Sequence, residues 1–322
     1  MEQNMASNAQ DIITYMESLR NEEQRKVLMG FFKTAPGEYG YGDEFLGLKV
    51  PQTREIVKSV AQYFPLDEIP ELLMNRWHEV RLCGFLILVA KFEKLATKRL
   101  ENNPDAIKQR DEILTMYLQY AEQANNWDLV DLSAPKILGH WLLLPTNLGR
   151  HPDLPSIGEE DRLQKDYKLK VLDDLAASPC LWKQRMSIVC TWKTSQQGDP
   201  SWCLRYAEIH LRHPHDLMHK AVGWMLREMG KSASKRGQSE DRFDFAEREQ
   251  SRPEVNAASK RGQSEDRFDF AEREQSRPEV QAGMDLLRNF LRQHAHTMPR
   301  TMLRYAIEKM SEQERKEWMS IH

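Results

Sequence analysis

No run of about 18 apolar residues occurs in the 322-residue chain, so no segment has the make-up of a membrane-spanning helix. The most apolar stretch, Cys83-Gly-Phe-Leu-Ile-Leu-Val-Ala90, stops at Lys91 and reads as a buried helix. Four cysteines (Cys83, Cys180, Cys190, Cys203) contain no C-x-x-C pair and no zinc or disulfide spacing, so reduced, mostly buried thiols are expected. Gly and Pro are scarce at 15 each, and 40% of residues are hydrophobic, which excludes a collagen-like or wholly disordered chain. Alternating strand-like runs between turn dipeptides are missing, which excludes a β fold. Also missing are a glycine-rich phosphate loop, a G-x-S-x-G elbow and any specific Cys–His pairing. The first twenty residues lack a basic region followed by an apolar one, so an intracellular, cytoplasmic protein is expected.

What is present is apolar spacing of three and four residues almost throughout, the period of an amphipathic helix. An all-α fold follows, with helices expected over 8–19, 21–33, 51–64, 66–75, 78–96, 105–124, 127–143, 166–177, 181–194, 200–212, 215–230, 283–295, 299–309 and 311–320. Pro51, Pro104 with Asp105, and Asn126 supply start signals. Short, closely connected helical pairs point to a superhelical solenoid of HEAT-like repeats, a single domain over 1–322. Residues 144–162, rich in Pro and Gly, read as a surface loop. Ala233–Val255 recurs letter for letter as Ala258–Val280, 25 residues on. Structural repeats drift, so exact identity marks a tandem duplication. Lys231–Gly283 holds 11 basic and 12 acidic residues with only Phe and Val as large apolar types, so 233–280 is expected to be disordered or partly helical.

The net charge of −3 argues weakly against a polyanion partner, but its distribution does not. Residues 1–75 carry 7 basic and 12 acidic side chains, whereas 181–231 carry 8 basic and 4 acidic. A positive surface is therefore expected in the second half.

Three clusters could carry chemistry. In Asn125-Asn126-Trp127-Asp128-Leu-Val-Asp131, Trp127 and Asp131 lie four apart on one helical face while Asp128 points elsewhere, so an indole and a carboxylate would border one spot. The bland alternative is a helix start with Asp128 complementing the macrodipole. Trp182-Lys-Gln-Arg185 forms the second cluster. In the third, Lys220, Trp224 and Arg227 share a stripe, 39 residues from Arg185 to Trp224, about one HEAT-type period; the alternative there is a core Trp with snorkelling basic stems. His210, His213, His215 and His219 crowd ten residues, but no Glu follows His215 as a metalloprotease helix requires, so structural or solvated histidines and no metal are expected.

At these residues, and at Phe45-Leu-Gly-Leu-Lys-Val-Pro51 and Met298-Pro-Arg-Thr-Met-Leu-Arg-Tyr-Ala306, the chain resembles the AlkD-type DNA alkylation repair glycosylases, an all-helical HEAT-like-repeat family. The resemblance covers roughly 10–230 and 284–320. It implies Asp131 as catalytic carboxylate, Trp127 and Trp224 bracketing the deoxyribose, and Arg185 as a phosphate contact. Lys193 is implied as a backbone contact, and Lys220 and Arg227 join the DNA-binding set. The family's tyrosine in the second helix aligns with Phe31, so its role is lost or passes to Tyr39 or Tyr41.

A glycosylase of this kind would hydrolyse the N-glycosidic bond of cationic N3- or N7-alkylated purines in duplex DNA, without strand cleavage, cofactor or base-flipping pocket. It is expected to act as a monomer, nucleoid-associated when on DNA. The competing readings are a catalytically weak DNA-binding repeat protein, suggested by Phe31 and the acidic first third, and a protein-interaction scaffold.

Overall fold

A computed structural model describes residues 8–149, 157–232 and 278–321. Among them the fold is all-α; the one β pairing is an isolated bridge between Glu44 and Trp77. No described helix is long and apolar enough to cross a membrane. The chain divides into two compact units, Met1–Met186 and Ser187–His322.

The first unit holds α1 (Ala9–Ser18), α2 (Glu22–Phe31), α3 (Val50–Val60), α4 (Ile69–Leu73), α5 (His78–Leu95), α6 (Pro104–Gln119), α7 (Trp127–Ser133), α8 (Leu138–Leu143), α9 (Ile157–Ala176) and the start of α10 (Leu181–Val189). Asparagine side chains open several of these helices: Asn8, Asn21 and Asn103 accept from the backbone N–H groups of Asp11, Gln24 and Ala106, satisfying donors that no helical carbonyl can reach. α5 is the axis of the unit. Every residue from His78 to Val89 is buried, because α3, α4, α6 and α7 all pack on it. A helix enclosed on all sides needs no polar stripe, and each fully buried Leu, Ile or Phe contributes about 1.5–3 kcal/mol.

The second unit holds α11 (Thr191–Gln196), α12 (Ser201–Ile209), α13 (Asp216–Lys231), α14 (Pro278–His294), α15 (Arg300–Ala306) and α16 (Glu312–Ser320). Here α13 is central and packs on α11, α12, α14 and α15. Gly223 permits a close crossing, since a Cβ there would lie 2.3 Å from the carbonyl oxygen of Met302 in α15.

Four expected boundaries are corrected. The helix expected over 127–143 is two helices, because Pro135 lacks an N–H and its ring crowds the preceding turn. The helix expected over 181–194 breaks at Cys190, where the Cys190 thiol and Thr191 hydroxyl donate back to the carbonyls of Ser187 and Ile188 at 3.5 and 2.7 Å and compete with the helical ladder. The loop expected over 144–162 is shorter, since α9 begins at Ile157; prolines ahead of a first turn do not oppose a helix there. α14 begins at Pro278, a residue type suited to a first helical position, rather than at 283. The expectation for 233–280 lies outside the described residues, apart from 278–280 at the head of α14.

Candidate functional site

The site grows from α7, a helix of seven residues that are all buried. Asn126 precedes it in extended conformation, and its side-chain oxygen accepts from the Trp127 N–H at 2.9 Å, as the start signal predicted. From this one helix the two carboxylates leave toward different partners, Asp131 to Arg185 and Asp128 to His78.

Asp131 is wholly buried. The guanidinium of Arg185 donates to both its oxygens, Nε to Oδ1 at 2.8 Å and Nη2 to Oδ2 at 2.7 Å. This bidentate geometry is the strongest form of the charge pair, and it fixes the plane of the carboxylate. Burial raises the pKa of Asp131 above the ordinary carboxylate value, Arg185 pulls it back, and nearby Asp128 adds to the rise. The sequence reading treated Arg185 as a group apart from Asp131; the fold joins them.

Trp127 is enclosed by aromatic rings. Phe32 stacks on it at 5.4 Å and 29°, and Phe31 meets it edge-on at 5.8 Å. Phe31 thus keeps an aromatic contact with Trp127 while offering no hydroxyl. Tyr39 meets Trp182 edge-on at 6.2 Å, whereas Tyr41 is 68% exposed. The structure separates the two tyrosines that sequence placed in one loop role.

The largest feature that sequence reasoning missed lies beside α7. His78, the first residue of α5, is buried between two carboxylates, with Nδ1 2.7 Å from Asp43 Oδ2 and Nε2 2.9 Å from Asp128 Oδ2. Arg81, one turn on, donates to the other oxygen of Asp43 and to Asn125 Oδ1 at 3.0 Å. Burial opposes a charge on His78, but Asp128 and Asp43 outweigh it and push its pKa up to about 10. Burial likewise opposes ionisation of Asp43, yet His78 and Arg81 hold its pKa down to about 2. Between them Glu79 accepts the backbone N–H groups of Leu46, Gly47 and Leu48 at 2.8, 2.8 and 3.1 Å. Gly47 is required in that cradle: its φ is +91°, and a Cβ would lie 2.1 Å from the Asn21 carbonyl oxygen. Three residues of α5 therefore clamp the 43–48 segment. The sequence signal was slight, a His-Glu-x-Arg run at a helix start whose partners in the network lie 31 to 50 positions away.

In the second unit Trp224 is buried in α13. Lys220 is half-exposed and pairs with Asp216 at 3.0 Å, and Arg227 is buried against Glu228 at 3.0 Å and against Glu308. Lys193 lies partly exposed in α11. Three of the clustered histidines serve the backbone: His213 accepts from the His215 N–H at 3.1 Å, His215 accepts from the Leu217 N–H at 3.1 Å to cap α13, and His219 Nε2 lies 2.5 Å from the His213 carbonyl oxygen. Burial and neighbouring His213 push the pKa of His210 down to about 4, and its ring meets the Ser187 hydroxyl at 2.8 Å. Among the described residues no cluster of His, Cys, Asp and Glu is arranged to hold a metal.

No curated protein matches the chain. The sequence pattern of the DNA alkylation repair enzymes, in contrast, matches residues 12–151 and 160–251, which include α7, Arg185, the His78 network and the Trp224 helix. With that pattern covering most of an all-helical chain, the protein belongs to the DNA alkylation repair enzyme family.

Proposed function

We propose that the chain is a monofunctional DNA glycosylase that releases cationic N3- or N7-alkylated purines from duplex DNA. The observation that carries this reading is the Asp131–Arg185 pair, a carboxylate oriented by a bidentate guanidinium on the same short helix as Trp127. An alkylated purine is already positively charged, so it departs as a neutral base and needs no general acid. What needs stabilising is the oxocarbenium-like sugar, as in glycoside hydrolysis. Asp131 opposes that charge, and the Trp127 ring adds a cation–π contribution of about 0.5–2 kcal/mol. Water then bonds to C1′ and its proton passes to Asp131, whose raised pKa suits a general base. Arg185 positions the carboxylate. The roles of Trp224, Lys193, Lys220, Arg227, Tyr39 and Tyr41 toward the sugar and the DNA backbone enter the proposal on the family resemblance alone, as does the HEAT-like solenoid.

One observation favours a second reading. Asp131 is fully buried and Arg185 occupies both its oxygens, which suits a strut between α7 and α10 in a DNA-binding protein with weak catalysis. Release of free methylated purine from alkylated duplex DNA by the purified full chain decides between them. Release that is lost in Asp131→Asn supports the glycosylase; DNA binding with no release supports the second reading.

A further inference from the structure

The four charges linked by hydrogen bonds at His78 balance only in one protonation state, Glu79 being held separately by three backbone N–H groups. Two carboxylates, Asp43 and Asp128, and one guanidinium, Arg81, surround the ring, so the cluster is neutral when the ring carries one positive charge. Each ring nitrogen faces a carboxylate oxygen, and a neutral imidazole would turn a lone pair toward one of them. Among the described residues Asp128 Oδ1 is buried with no hydrogen-bond partner, and His78 is the only charged group within hydrogen-bond distance of that carboxylate. The other groups facing the ring are the Phe45 ring, stacked at 4.5 Å and 21°, and the Phe32 ring at 5.0 Å. The Asn126 amide reaches Asp43 at 3.5 Å, and Glu79 is the acidic neighbour on α5 itself. An aromatic face beneath a cation is favourable.

His78 is also joined to the candidate site twice. Asp128 is the residue after Trp127, and Phe32 lies between the imidazole and the Trp127 indole, 5.0 Å from one and 5.4 Å from the other. We propose that His78 is a positioning residue: a doubly protonated imidazolium that ties the Asp43 segment and the first turn of α7 to the head of α5, and so sets where Trp127 and Asp131 stand. Its catalytic arm rests on the glycosylase reading; its structural arm does not. The raised pKa of His78 agrees with this charge state.

The test uses the full chain labelled with nitrogen-15 histidine and fluorinated tryptophan. At a pH of about 8.5, where an ordinary imidazole is neutral, one of the ten rings should keep both nitrogens protonated and should vanish from the spectrum in His78→Gln. Should every ring show an unprotonated nitrogen at that pH, the proposal is overturned, including the variant in which the proton sits on Asp128. The fluorine resonance of Trp127, assigned by Trp127→Phe, should shift in His78→Gln. Loss of methylated-purine release should appear in kcat, by about tenfold to a hundredfold, with KM and binding of undamaged duplex nearly unchanged. A folded His78→Gln with an unmoved Trp127 resonance and unchanged kcat overturns it. If His78→Gln does not fold, His78→Gln/Asp128→Asn, which removes the stranded carboxylate with the cation, takes its place under the same criteria. If the wild type releases no base, the glycosylase reading fails, and the two spectra still decide the role of His78.

Discussion

The charges around α7 and the lysines of α13 are held in opposite ways, whereas Arg227 of α13 is buried and pairs with Glu308 across 81 positions. In the first unit Asp131, Asp128, Asp43, His78, Arg81 and Arg185 are all buried, and each pairs with a residue distant in sequence. In the second unit Lys220 and Lys231 stand about 40% exposed and pair with acids three or four residues away on the same helix, Asp216 and Glu228. A buried pair is costly to break, because the survivor is left charged in a poor solvent, while a pair in water is worth little. A Lys in water can also exchange its acidic neighbour for a phosphate at small cost. The first region is therefore built to hold geometry, and the two lysines of the second are held only weakly.

The sharpest way to break this contrast is Arg185→Ala. It strands the Asp131 carboxylate, and a loss of about 3–5 kcal/mol in denaturant unfolding of the first unit is expected. A loss below about 1 kcal/mol would put the pair in the same class as the α13 pairs.

Asp131→Asn keeps the shape and removes the charge. Base release should fall at least about a hundredfold, equivalent to roughly 2.7 kcal/mol, with DNA affinity little changed. Sequence suggests Asp128→Asn as a mild control, but its bond to His78 disqualifies it. Asp174→Asn, an exposed i,i+4 pair with Lys170, serves instead.

Titration sharpens the comparison further. His78 has a folded pKa raised from 6.5 to about 10, so its contribution is complete below pH 6.5 and is lost as pH rises toward 10. Asp43 has one depressed from 3.8 to about 2, so its contribution is present above pH 3.8 and is lost as pH falls toward 2. Unfolding free energy should change by about 1.4 kcal/mol per pH unit for each such proton. The alkaline slope should disappear in His78→Gln, measured by urea unfolding across the range.

The smallest effect belongs to α13. Lys220→Ala should cost at most about 1 kcal/mol of stability, and if Lys220 meets a phosphate it should flatten the log–log salt dependence of DNA binding by about 0.9. An unchanged slope would leave Lys220 to its pair with Asp216.

Sequence alone was enough for the all-α class, for the start of α7 at Asn126, and for the divergence of Asp128 from Asp131. These are local matters: a 3.6-residue period and a capping side chain act within a few residues. Pro135 was equally legible, yet periodicity carried the expected helix across it. What only the tertiary structure decided is who meets whom. Arg185 reaches Asp131 across 54 positions, and His78 reaches Asp43 and Asp128 across 35 and 50. The facing charges then set the protonation states against the opposition of burial, raising His78 and depressing Asp43. No local pattern encodes such pairings, because the opposite charges that offset desolvation meet only once α5, α7 and α10 have packed together.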